Sequence, residues 1–448
     1  MGTTLIVTND FPPRQGGIET FVHAMAMRVP GHDVVVHTSA EPGAAAFDAT
    51  LPFPVVRDRA RTLLPTRRVT EQTAELVRAY GCDRVWFGAA APLALMAPAL
   101  RRAGAERLVA TTHGHEIWWA RVPGARRLLR RVGEGVDVVT YLGEYTRSRI
   151  APALGPQPRA RLSRLVPGVD AAAFRPDPVP GPASADPADA GLACAGPVHV
   201  DPVHPDPFRA APISLDPARD APSRADRARA VRDRHRLHGR TVVLCVARLV
   251  PRKGQDALIR ALPLIRSAVP EAILLIVGQG PDERRLRRLA AQLPEGSVEF
   301  AGGRSHAELP GYYAAADLFA MPCRTRRAGL EAEGLGIVYL EAAASGLPVV
   351  AGDSGGAPDA VLDGRTGVVV DGRDVRAVAE AVIRLLGTPE GAAMGRAGRR
   401  WAAAEWSWDG SAARLERLLT PGGPLPADAP SPGRSSSRGP LAPDGFRS

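Results

Sequence analysis

The chain has 448 residues, 45% hydrophobic and 23% charged, close to the averages for soluble globular proteins and too long for one compact core. Four scattered cysteines without a Cys-x-x-Cys pair argue against a disulfide framework and a structural zinc site, and fit a reducing cytoplasm. No window approaches the roughly 18 uncharged apolar residues of a membrane-spanning helix, while a formal charge of +10 calls for an anionic partner: nucleic acid, acidic lipid or a phosphorylated substrate.

Met1-Gly2-Thr3-Thr4 runs straight into Leu5-Ile6-Val7 without a basic region, so the start reads as a core strand and not as a targeting segment. Apolar runs at 5–8, 33–37, 84–87, 108–112 and 136–141 alternate with amphipathic stretches such as 18–29 and 123–132. That alternation predicts a parallel sheet with crossover helices over residues 1–170. Residues 171–225 are rich in Pro, Ala and Asp and poor in aromatics, which predicts a disordered insertion. The His- and Asp-bearing stretch 198–206 within it has no scaffold to orient metal ligands, and chance clustering explains it better.

A second alternating unit spans 226–405, with strand-like runs at 241–244, 272–277, 298–301, 318–321 and 348–351. Residues 406–419 suit a helix that crosses back to the first domain, and 420–448 repeat the Pro, Gly and Ser bias of a disordered tail. The expected fold class is α/β, with two Rossmann-like domains facing across a cleft.

Four segments carry chemistry. Glu333 precedes Gly336 and the apolar 337–340, with Glu341 following. This suggests a loop entering a buried helix whose first amides, at Ile337 and Val338, would favour a diphosphate between two carboxylates. An ordinary helix with two acids explains the spacing alone equally well. Arg248 and Lys253 follow the first strand of the second unit, where ligands of open α/β sheets sit, and can neutralise a leaving diphosphate without a metal. In the first unit Gly16-Gly17 lies in the first strand-to-helix turn, which lacks the Gly-x-Gly-x-x-Gly fingerprint, and His113-Gly114-His115-Glu116 follows a later strand. Trp118, Trp119 and a helix carrying Arg126, Arg127, Arg130 and Arg131 suit an anionic bilayer interface, with Arg57, Arg59, Arg61, Arg67 and Arg68 as a second basic segment. A solvated basic face is the alternative for both. No helix-turn-helix, zinc-finger or aromatic RNA-binding signature supports a nucleic-acid partner.

Together with Pro167-Gly168-Val169-Asp170, these motifs resemble the retaining GT-B glycosyltransferases of the family that includes bacterial mannosyltransferases and sucrose-type synthases. Within it, residues 7–18, His113-Gly114-His115-Glu116, residues 248–255 and Gly355-Gly356-Ala357-Pro358 look like the actinobacterial enzymes that move mannose from GDP-mannose to mannosylated phosphatidylinositol. The resemblance implies α-1,6 transfer with retention by front-face attack, no required cofactor or metal, and a peripheral place on the inner face of the plasma membrane. By position, it gives the diphosphate to Arg248 and Lys253, the ribose hydroxyls to Glu341 and the mannose hydroxyls to Glu333. Gly16, Gly17 and His113 would meet the donor from the opposite domain, and Gly336, Ile337 and Val338 from the helix start. Another GT-B transferase with a different donor or acceptor, or a nucleotide-sugar epimerase, is the alternative. The long insertion departs from the short interdomain linker of the family.

Overall fold

A computed structural model describes residues 2–14, 16–156, 158–174 and 223–423; most of the expected insertion and tail, including 198–206, lies outside the described residues. Seven strands form the first sheet: β1 (Thr3–Val7), β2 (Val34–Thr38), β3 (Val55–Arg57), β4 (Cys82–Phe87), β5 (Arg107–Thr111), β6 (Val138–Tyr141) and β7 (Arg161–Arg164). Their order is β3-β2-β1-β4-β5-β6-β7 and every pairing is parallel. Six form the second: β8 (Thr241–Val246), β9 (Ala272–Val277), β10 (Val298–Gly302), β11 (Leu318–Met321), β12 (Val349–Gly352) and β13 (Gly367–Val370). They run β10-β9-β8-β11-β12-β13, again all parallel.

Parallel strands need helical crossovers, which cover both faces of a sheet and demand nearly unbroken apolar runs. Ala-Ile-Leu-Leu-Ile-Val in β9, buried at every position, meets that demand. Strand order reverses between β1 and β4 in one sheet and between β8 and β11 in the other. The crevices beyond the carboxyl ends of these strands are where ligands of doubly wound folds bind.

The chain passes between the domains twice, and the two passages touch. The Val169 amide donates to the Trp406 carbonyl at 2.7 Å, and the Arg164 guanidinium lies 5.1 Å over the fully buried Trp406 ring. Helix Trp408–Leu419 then returns to the first domain. Leu415, Leu418 and Leu419 enter the core with Ile6, Trp86 and Val109, Arg107 donates to the Leu418 carbonyl, and Arg84 pairs with Glu416 at 3.0 Å.

Gly168 sits against this crossing with no room for a side chain, because a Cβ there would overlap the backbone of Trp408. Gly168→Ala should lower stability by about 1–3 kcal/mol, the usual scale of overpacking, measured by denaturant unfolding. Gly124→Ala, on helix Pro123–Gly135 with nothing near its Cβ position, should be at least as stable as wild type. Equal behaviour of the two variants would contradict a tightly packed double crossing.

Candidate active site

A cleft of about 600 Å³ lies between the sheets, lined from the first domain by Gly17, Ile18, His113 and Trp118 and from the second by Arg252, Lys253 and residues 329–338. Each lining group comes from a strand's carboxyl end or the element just after it. Past β8 the short turn Pro251–Lys253 presents Lys253, and Gly254, at φ 80°, allows helix Gln255–Ala268 to start at once.

Past β11, Glu333 lies in a loop that Gly355 and Gly356 seat from below: the Gly356 amide donates to the Glu333 carbonyl at 2.8 Å, and a Cβ at Gly355 would collide with that oxygen. Gly336, at φ 82°, turns this loop into helix Ile337–Ala344. The first amides of a helix have no intrahelical acceptor. Those of Ile337 and Val338, two cleft-lining residues, make no hydrogen bond among the described residues.

Lys253 Nζ donates to Glu333 Oε2 at 2.6 Å, and Arg252 Nη1 lies 3.5 Å from the same oxygen. Burial alone would push the Glu333 carboxyl up, but the Lys253 ammonium and then the Arg252 guanidinium outweigh it and hold the group below the usual carboxylate range. Glu333 is therefore an anionic acceptor of hydrogen bonds and not a proton donor. The Glu341 carboxyl shifts the other way while still accepting a hydrogen bond. Burial raises its carboxyl, only partly offset by the Tyr313 hydroxyl, which donates to it at 2.8 Å, and by His306, 3.7 Å away.

Across the cleft, His113 follows β5, and its Nε2 lies 2.6 Å from the Gly88 carbonyl. A carbonyl only accepts, so Nε2 carries the proton and Nδ1 is an acceptor. Burial pulls the imidazole down to about 4, against the Gly88 hydrogen bond, so the ring is neutral at neutral pH. The domains approach closely here: a Cβ at Gly334 would come within 3.0 Å of the His113 carbonyl.

Lys253, Glu333, Gly336, Ile337, Val338, Gly17 and His113 thus come together around one cleft. Gly16 lies next to this lining but not in it, and Glu341 is buried on the side of Tyr313 and His306. Arg248 does not line the cleft in this structure; its side chain is exposed, while its carbonyl takes the Gln255 side chain and the Val250 amide. Arg252 stands beside Glu333 instead, a residue the sequence reading passed over because only the turn at 251–253 decides which cation faces inward. Glu116 also lacked a role in the sequence: its buried carboxylate accepts the His113 amide at 3.0 Å and so fixes that loop.

The second basic segment is partly paired, with Arg59, Arg61, Arg67 and Arg68 all exposed. Arg57 pairs with Asp48, Arg68 holds Asp58 through two hydrogen bonds, and Arg67 pairs with Glu71. The two indoles also part company: Trp118 lines the cleft and Trp119 packs against the first domain's core.

Two Rossmann-like domains with such a cleft define an α/β group-transfer enzyme of the GT-B architecture. Residues 227–401 match the family described as Glycosyl transferases group 1, and residues 15–173 match Glycosyltransferase Family 4. The chain is 47% identical over 422 residues to the GDP-mannose-dependent alpha-(1-6)-phosphatidylinositol monomannoside mannosyltransferase of Mycolicibacterium smegmatis, covering 93% of this chain and 98% of that one. It is 42% identical over 420 residues to the GDP-mannose-dependent monoacylated alpha-(1-6)-phosphatidylinositol monomannoside mannosyltransferase of Corynebacterium glutamicum, covering 93% and 97%. The chain therefore belongs to this glycosyltransferase family. Anabaena HepE in complex with UDP and glucose shares the fold, with a TM-score of 0.68 and 18% identity over 94% of this chain and 99% of that one.

The His113 shift has a stability consequence. Its folded value, about 4, lies below its ordinary 6.5, so the stabilisation it supplies is complete above pH 6.5 and is lost as pH falls toward 4. His37, buried and also pulled down to about 4, acts in the same direction. Unfolding midpoints measured between pH 7 and pH 4 should fall less steeply for His113→Asn than for wild type. Parallel slopes would contradict a neutral, buried His113.

Proposed function

We propose that this glycosyltransferase moves mannose from GDP-mannose to a mannosylated phosphatidylinositol, forming an α-1,6 linkage with retention of configuration. The observation that carries the reading is the Lys253–Glu333 pair beside the helix start at Ile337, facing Gly17 and His113 of the other domain. The printed activities of the mycobacterial and corynebacterial relatives, similar along nearly their whole length, support the choice of donor and acceptor.

When the sugar–phosphate bond breaks, negative charge gathers on the leaving diphosphate. Lys253, Arg252 and a helix N-terminus equivalent to roughly half a positive charge are placed to take that charge, a task otherwise given to a metal. Arg248 reaches the same charge if its exposed side chain folds inward on closure. Glu333, kept anionic, accepts hydrogen bonds from the mannose hydroxyls, and neutral His113 accepts one at Nδ1. Glu341, held by Tyr313, accepts from the ribose. Retention follows from front-face attack in a closed cleft, with no enzyme nucleophile assigned.

The acceptor is a lipid, so the enzyme works at a membrane surface. Among the described residues no helix is long and apolar enough to cross a bilayer. Helix Pro123–Gly135 buries Leu129 and Val132 while Arg126, Arg127, Arg130 and Arg131 stay exposed, a face suited to an anionic leaflet.

A transfer assay with radiolabelled GDP-mannose and a monomannosylated inositol lipid tests donor, acceptor and activity together. Wild type should form a dimannosylated product, and Lys253→Ala should lower the rate by about 100-fold or more, the scale for removing one preorganised charge-stabilising group. With the acceptor carried in phosphatidylinositol vesicles, changing the four helix arginines to glutamate should slow transfer. Transfer from UDP-glucose but not GDP-mannose would overturn the donor assignment.

A further inference from the structure

Five large apolar side chains are exposed among the described residues, and two of them, Trp118 at 48% and Leu330 at 51%, line the same cleft from opposite domains. Trp118 is on helix Glu116–Arg121, and Leu330 follows the turn Arg327–Gly329. These segments lean on one another: a Cβ at Gly329 would come within 2.6 Å of Arg121 Nη1. In the loop that carries Leu330, Arg326 and Arg327 lie 3.6 and 3.1 Å from the one carboxylate of Glu331, which leaves a single net positive charge, and the leucine is the loop's apolar feature.

The cleft is graded. Lys253 and Glu333, only 12% and 9% exposed at their side chains, form its charged and shielded part. Ile18, Ile117 and Leu335 also line it, and the indole and the leucine are its most exposed apolar groups. Exposed apolar surface that is concentrated on both sides of one cleft marks a binding surface more than scattered residues do. A glycolipid has the same order along its length, from polar sugar through phosphodiester to acyl chain.

Resting on the function proposed above, we infer that Trp118 and Leu330 are paired lips that grip the acyl-glycerol portion of the lipid acceptor, one from each domain. The acceptor's apolar part then touches both domains while its sugar reaches the Lys253–Glu333 pair. Trp118 recognises the acceptor itself and not the bilayer plane, unlike the basic helix beside it.

The test compares kcat/KM for the diacylated monomannosylated inositol lipid, dispersed in detergent, with kcat/KM for its deacylated glycerophospho form. Removing one well-buried apolar contact is worth about tenfold. In Trp118→Ala and in Leu330→Ala, the ratio of lipid to deacylated acceptor should fall by about that factor, and Trp118→Phe should recover most of it. A ratio that stays at the wild-type value, with both acceptors losing equally, overturns the lips and leaves a merely structural role. Cosedimentation of acceptor-free phosphatidylinositol vesicles should be the same for wild type and variants; a loss in Trp118→Ala would make the indole a bilayer contact and also overturn the proposal. Failure of wild type to transfer mannose to either acceptor contradicts the functional reading, whereas an unchanged ratio in an active wild type contradicts the lips alone.

Discussion

A lysine ammonium and a glutamate carboxylate, 2.6 Å apart and both mostly shielded from water, hold the centre of the cleft. Such a pair contributes little net stability, because desolvating two charges offsets most of their attraction. Its local cost makes sense at a site where one partner must be ready to change. Much of the surrounding geometry delivers the two groups: the turn after β8 presents Lys253, Gly355 and Gly356 seat the Glu333 loop, and Gly336 bends that loop into a helix whose first amides line the same space. A side chain at Gly355 or Gly336 would meet the Glu333 carbonyl or the Tyr339 ring, so the backbone of this loop is fixed by packing and not only by charge.

The opposite wall is built from different physics. His113 is kept neutral by burial and oriented by a carbonyl on one side and by Glu116 on its backbone. One wall thus offers charge and the other a neutral acceptor. The domains that carry them are joined by two chain passages packed against each other at Val169 and Trp406, with Gly168 pressed against Trp408. Any relative motion of the two domains would have to be accommodated at that crossing.

Much of this was legible in the sequence, for identifiable reasons. Central strands such as β9 and β11 are buried on both faces, so their apolar runs stand out at 272–277 and 318–321, the bounds they have in the structure. The short edge strands β3, β7 and β13 escaped notice, since β3 and β7 carry arginines and β13 opens on a glycine with its two middle valines only half-buried. Glu333 and Lys253 could be singled out by spacing, but nothing local showed that they pair with each other. Nor could spacing choose Arg252 over Arg248 for the cleft, or separate Trp118 from Trp119, because those outcomes depend on the facing of a single turn or helix. The Trp406 crossing joins residues more than two hundred positions apart and leaves no local pattern.

If Lys253 is the diphosphate's partner, Glu333 competes with the diphosphate for it whenever no sugar is present to occupy the carboxylate. Calorimetric titration of GDP into wild type and Glu333→Gln tests this most directly. GDP, which carries no mannose, should bind the variant more tightly than wild type, even though mannose transfer by the variant is impaired. Equal or weaker binding of GDP to Glu333→Gln would contradict convergence of the pair on a single diphosphate.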